Sequence, residues 1–80
     1  MKIEVLTFGI ARDITGADTL QLQLPSGATV AELRAELAKQ FPAFEKLRSL
    51  MVAVNAAYAS DETILTERDE LALIPPVSGG

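Results

Sequence analysis

Chemistry has few places to reside in this chain. None of its 80 residues is Cys or His, so there is no thiolate nucleophile or thiolate metal ligand, no disulfide, and no imidazole to serve as a base near neutral pH. Two features remain: the terminal run Pro75-Pro76-Val77-Ser78-Gly79-Gly80, and an acidic stretch in which Asp61, Glu62, Glu67, Asp69 and Glu70 face Arg68 alone. The first offers a carboxylate. Neither proline can donate to a sheet ladder, so pairing is expected to stop at Ile74 and the segment to leave in an extended, polyproline-like form. The residues from 75 to 80, at about 3.3 Å each, span roughly 20 Å, enough to thread a narrow channel in another protein. Gly79 and Gly80 carry no side chain that would block an enzyme from a terminal carboxylate. Small residues are common at chain ends, so the diglycine draws its meaning from the Pro-Pro exit and from a chain otherwise bare of reactive groups. The acidic stretch lacks the Asp-x-Asp-x-Asp-Gly spacing of a cation loop. It reads as a solvated loop, or as a surface that steers the chain towards basic partners.

Size and charge narrow the field further. Eighty residues make one domain that buries only roughly 62% of its unfolded surface, which leaves no room for a deep catalytic cavity. The chain is therefore expected not to be an enzyme on its own. A net charge of −4, with no run of Lys or Arg, argues against nucleic acid and anionic lipid as partners. Lys2–Gly9 lacks the charged and apolar regions of a signal peptide, and no apolar stretch approaches the length of a membrane span. The expectation is a soluble cytoplasmic protein.

The elements that must position the tail follow from periodicity. Lys2–Gly9 alternates, with Ile3, Val5 and Thr7 on one face and Glu4, Leu6 and Phe8 on the other, as a strand would. Gly9–Gly16 reads as a helical turn or loop with Ile10 and Ile14 at i, i+4. Thr19–Leu24 is a half-buried strand presenting Leu20, Leu22 and Leu24 to one side. After the turn chemistry of Pro25-Ser26-Gly27, Thr29-Val30-Ala31-Glu32 matches a capping box that opens a helix over about residues 30–40, with Val30, Leu33, Leu37 and Phe41 on its apolar stripe. Pro42 ends it. Phe44, Leu47 and Leu50 indicate a shorter turn before a buried strand at Met51–Val54. Asn55-Ala56-Ala57 turns into a short edge strand near Tyr58, Ser60–Asp69 is polar, and Glu70–Ile74 is the last strand. Strand, strand, helix and then two or three strands in so short a chain predict an α+β, β-grasp (ubiquitin-like) fold: a mixed sheet of four to five strands wrapped on one main helix. Its first and last strands would pair in parallel at the centre. Residues 1–74 form this domain and 75–80 the tail.

Phe8 followed by Arg12, the Ala53-Val54-Asn55 strand end, Leu65-Thr66 followed by Asp69-Glu70-Leu71, and above all Ile74-Pro75-Pro76-Val77-Ser78-Gly79-Gly80 closely resemble the MoaD family, the small sulfur-carrier subunits of molybdopterin synthase. The likeness spans the chain. Related thiamin-pathway sulfur carriers share the diglycine but generally not the Pro-Pro-Val. Glu67-Arg68, where many members have Asp-Gly, alters only a surface turn. The resemblance implies that Gly80 is the covalent site, with Gly79 as its access spacer. An E1-like adenylyltransferase would use ATP to form a glycyl adenylate on Gly80, sulfur from a persulfide relay would convert it to a thiocarboxylate, and the large synthase subunit would take that sulfur for cyclic pyranopterin monophosphate. The chain itself would bind no cofactor and no metal, and would join the large subunit in a heterotetramer of two small and two large subunits. Phe8, Arg12, Tyr58 and Ile74, with Pro75, Pro76, Val77 and Ser78, are the partner-facing candidates; for Phe8 and Ile74 the alternative is a place in the core. A thiamin-pathway carrier, a ubiquitin-like protein modifier and a plain β-grasp interaction module whose tail does no chemistry are the rival readings.

Overall fold

In the computed structural model, residues 1–47 and 50–74 are described, and they fold into one mixed sheet with its helices. Strand β1 (Lys2–Thr7) buries Ile3, Val5 and Thr7 and leaves Lys2 and Glu4 exposed, as the alternation predicts. It ends at Thr7, because Phe8 already caps helix α1 (Gly9–Thr15), whose last turn closes on Gly16 at φ +78° with its N–H on the Arg12 carbonyl at 2.7 Å. That left-handed C-cap suits glycine. Ile10 and Ile14, though spaced i, i+4, do not share the inward face of α1. Ala11 is fully buried and Ile14 half-buried, while Ile10 stays exposed. The helix packs against β1 and against the last strand, and at that position the methyl of Ala11 takes the inward place.

Strand β2 (Thr19–Gln23) returns antiparallel to β1, with Ile3 opposite Leu22 and Val5 opposite Leu20. Helix α2 (Val30–Gln40) begins with the complete capping box: the Glu32 N–H donates to Thr29 Oγ1 at 3.3 Å and the Thr29 N–H to Glu32 Oε1 at 3.4 Å. It buries Val30, Leu33 and Leu37. Phe41, expected on this stripe, is only half-buried and meets Phe44 edge to face at a centroid distance of 6.0 Å. Phe44 belongs to a 3₁₀ turn at Pro42–Lys46, which Pro42 starts.

The remaining strands are β3 (Met51–Val54), β4 (Ala57–Tyr58) and β5 (Leu71–Ile74). The sheet order is β2-β1-β5-β3-β4, so β5 lies at the centre. It runs parallel to β1 and antiparallel to β3, in the arrangement that a β-grasp requires. Leu71 and Leu73 of β5 join Ile3, Val5, Leu22 and Val52 in one cluster with the inward face of α2. The polar connection to β5 is held over the start of α2 by hydrogen bonds from the Val30 N–H to the Thr63 carbonyl and from the Leu65 N–H to the Ala28 carbonyl, and Leu65 is buried there. One face of the sheet is thus covered. The other face carries the site.

Candidate functional site

Burying one set of alternate side chains leaves the other set on the open face. On β1 that set includes Leu6 and, just past the strand end, Phe8; on β5 it is Ala72 and Ile74. The parallel register places Leu6 beside Ala72, and the antiparallel register places Ala53 beside both Ala72 and Tyr58. These six residues, with Ala56 and Glu70, line a shallow depression of about 320 Å³. Two of its aromatic side chains are far too exposed for core residues, Phe8 at 49% and Tyr58 at 67%. Met51, opposite Ile74 in the register and also exposed, extends the apolar surface along β3. An apolar, open, shallow face of this kind fits another protein's surface better than a small molecule.

The structure therefore brings together Phe8, Tyr58 and Ile74, and the choice between core and surface for Phe8 and Ile74 falls to the open face. Arg12 is not among the residues that line the depression. It sits on α1 in an exposed ion pair with Asp18 at 2.7 Å. Pro75, Pro76, Val77, Ser78, Gly79 and Gly80 lie outside the described residues. What can be placed is their point of attachment: Ile74, the last residue of β5, is itself part of the depression.

The acidic stretch divides into separate roles. Asp61 receives a hydrogen bond from Arg34 Nε at 3.1 Å, and the Lys2 N–H donates to Glu67 at 3.3 Å. Asp69 accepts from the Thr66 N–H at 2.8 Å and from the Asn55 side-chain amide at 3.0 Å, and these two bonds, the Thr66 one foremost, hold its carboxyl below the usual aspartate range. Glu4, Glu67, Arg68, Asp69 and Glu70 line a second, polar depression, which shares Leu6 and Glu70 with the apolar one. Among the described residues, no group of three carboxylates is arranged to hold a metal ion, and no helix is long and apolar enough to cross a membrane.

Several lining residues were not among the partner-facing candidates of the sequence: Leu6, Ala53, Ala56 and Ala72, with Glu70 named there only as part of the acidic stretch. The outward alternation of Leu6 and Ala72 is visible in the sequence. Their adjacency is not, because it depends on the pairing of strands far apart in the chain.

Comparison with known proteins extends these observations. The model of the ThiS family matches residues 5–80. Over its full length the chain is 47% identical to the molybdopterin synthase sulfur carrier subunit of Arabidopsis thaliana, of which it covers 84%. Among solved structures it resembles a protein named a molybdopterin converting factor, subunit 1, from Pyrococcus furiosus, with a TM-score of 0.87 and 29% identity over 96% of this chain and 99% of that one. It is also similar to a chain in the complex of subunits 1 and 2 of the molybdopterin-converting factor of Helicobacter pylori, with a TM-score of 0.69 and 30% identity over 100% of both chains.

Proposed function

The chain belongs to the ThiS family, on the side of its molybdopterin synthase sulfur carriers, and from that premise we propose that it delivers sulfur as a thiocarboxylate on Gly80. The observation that carries this reading is the family match running through residue 80, so that Pro75-Pro76-Val77-Ser78-Gly79-Gly80 falls inside it. The chemistry is economical. A terminal carboxylate with an ordinary pKa near about 3.5 is ionised at neutral pH and is a poor electrophile. An adenylating enzyme forms the acyl adenylate from ATP with release of pyrophosphate; a persulfide's outer sulfur then displaces AMP to give an acyl disulfide, and a second thiol cleaves its S–S bond, forming a disulfide with the relay sulfur and releasing the thiocarboxylate. On delivery the sulfur passes to the pterin precursor and water restores the carboxylate. With no Cys in the chain, no internal thiol can capture the activated carbonyl.

The body's part is docking. Phe8, Tyr58 and Ile74 present the apolar face to the large subunit at the root of residues 75–80, and two carriers serve two large subunits. Complexes named for subunits 1 and 2 in a similar structure support this partner. Arg12 joins the interface by exchanging Asp18 for a partner carboxylate, an exchange that costs little because the existing pair is exposed.

The test begins with intact mass, which must first place Gly80 at the carboxyl terminus. Incubation with the E1-like enzyme, ATP and a sulfur donor should then add about 16 Da, localised to the C-terminal peptide to separate it from oxidation of Met1 or Met51. A variant extended by one residue beyond Gly80 should gain nothing. Sulfur transfer at the ordinary rate by that variant would overturn the reading, and conjugates to partner lysines would point to a modifier instead.

A further inference from the structure

The apolar depression is assembled from segments distant in sequence. Its β3–β4 side carries Ala56 and Tyr58, and its β5 side carries Glu70, Ala72 and Ile74. One residue ties these sides together where the strands end. Asn55 sits in the turn between β3 and β4 at φ +53°, and its backbone N–H donates to the Glu70 carbonyl at 2.8 Å. Its side chain completes a clip: Oδ1 accepts from the Glu70 N–H at 2.9 Å, and Nδ2 donates to Asp69 Oδ1 at 3.0 Å. The other Asp69 oxygen is held by the Thr66 N–H, so the clip extends into the 66–69 turn. Asn55 and Glu70 are both exposed, and neither belongs to the core cluster.

We propose that Asn55 is a positioning residue for docking: its side-chain amide locks the β3–β4 turn to the entry of β5, so that the apolar depression and the Glu70 carboxylate at its rim meet the partner already formed. This rests on the reading of that face as the docking surface. The geometry favours it in two ways. The clip joins the neighbours of two lining residues, Ala56 and Glu70, and because it lies outside the core its loss should loosen this end of the surface without unfolding the domain. A surface ordered in advance does not have to be ordered at the moment of binding, and affinity gains accordingly.

The experiment uses the full chain, unloaded with sulfur, titrated calorimetrically into the purified large subunit. Asn55→Gly keeps the left-handed backbone without strain and removes only the side-chain bonds. It should remain folded, speed hydrogen exchange at the Glu70 amide, and weaken docking about tenfold. Asn55→Asp places a second carboxylate against Asp69 and should weaken docking as well. The reciprocal swap N55D/D69N reverses the one side-chain bond, since the amide at position 69 then donates to the carboxylate at position 55, and leaves an acceptor oxygen at each position for the Glu70 and Thr66 N–H groups, so it should recover docking. Docking by Asn55→Gly within twofold of the parent chain would overturn the proposal. So would a loss that the swap fails to recover, because Asn55 would then be touching the partner itself. Failure of the parent chain to bind would refute the docking surface and this inference with it, whereas failure of Gly80 to take up sulfur would refute the carrier chemistry and leave the clip standing.

Discussion

Replacing Ala56 by glycine should make this protein more stable. The loop between β3 and β4 is two residues long, since Val54 pairs with Ala57, and both of its residues have positive φ, +53° at Asn55 and +68° at Ala56. That is the mirror-image turn that matches the twist of a hairpin, and its preferred sequence is Asn-Gly. Asparagine tolerates the left-handed region; alanine pays about 1–2 kcal/mol for its Cβ there. Glycine releases that strain but has more freedom in the unfolded chain, which takes back about 0.4–1 kcal/mol. The net gain is about 0.5–1 kcal/mol. For 80 residues the unfolding entropy at the midpoint is roughly 170 cal/mol/K, so Tm should rise by about 3–6 °C in a calorimetric scan. Ala56 also lines the apolar depression proposed as the docking face. Losing one methyl there should weaken docking by no more than about fourfold, so stability and affinity move in opposite directions. An unchanged or lower Tm would refute the assignment of strain to position 56.

Three further outcomes can be checked with standard measurements. The Asp69 carboxyl is lowered in the folded protein by the Thr66 N–H and Asn55, so below about pH 4 the unfolded chain binds more protons and stability falls as pH drops through the lowered value; urea titrations from pH 5 to pH 2 should show a step that Asp69→Asn, which keeps an acceptor for Thr66, largely removes. Leu33→Ala, at a position with 0% exposure in α2, should cost about 2–5 kcal/mol and shift the urea midpoint far down, and an unmoved midpoint would take Leu33 out of the core. Tyr58→Ala should change stability by no more than about 0.5 kcal/mol, given its exposure, yet weaken docking on the large subunit about 30-fold; equal binding would remove Tyr58 from the interface.

Much of this architecture is legible in the sequence because periodicity reports burial directly. Ile3, Val5 and Thr7 had to share a face, as did Val30, Leu33 and Leu37, and both faces turn inward. The capping box at Thr29 and Glu32 is a local interaction and was legible as one. Non-local facts were not. The identity of the open face depends on Leu6 lying beside Ala72 and Ala53 beside Tyr58, pairings between segments dozens of residues apart in some cases and set by strand register. Asn55 reads as a turn former in the sequence, while its partners 14 and 15 residues away emerge only when β3 and β5 align. Ile10 shows the limit of a spacing rule: the i, i+4 template fits, but the short helix turns Ala11 inward instead.

The central place of β5 has a mechanical consequence. Its edges are occupied on both sides, by β1 along Leu71–Leu73 and by β3 along its whole length from Leu71 to Ile74. The chain passes from Ile74 directly into Pro75. Tension applied beyond that point runs along the strand axis and loads both ladders in shear, so their bonds must yield together rather than peel apart one by one. A partner gripping the segment beyond Ile74 would pull against a moored strand, and the body would follow as a unit instead of unravelling.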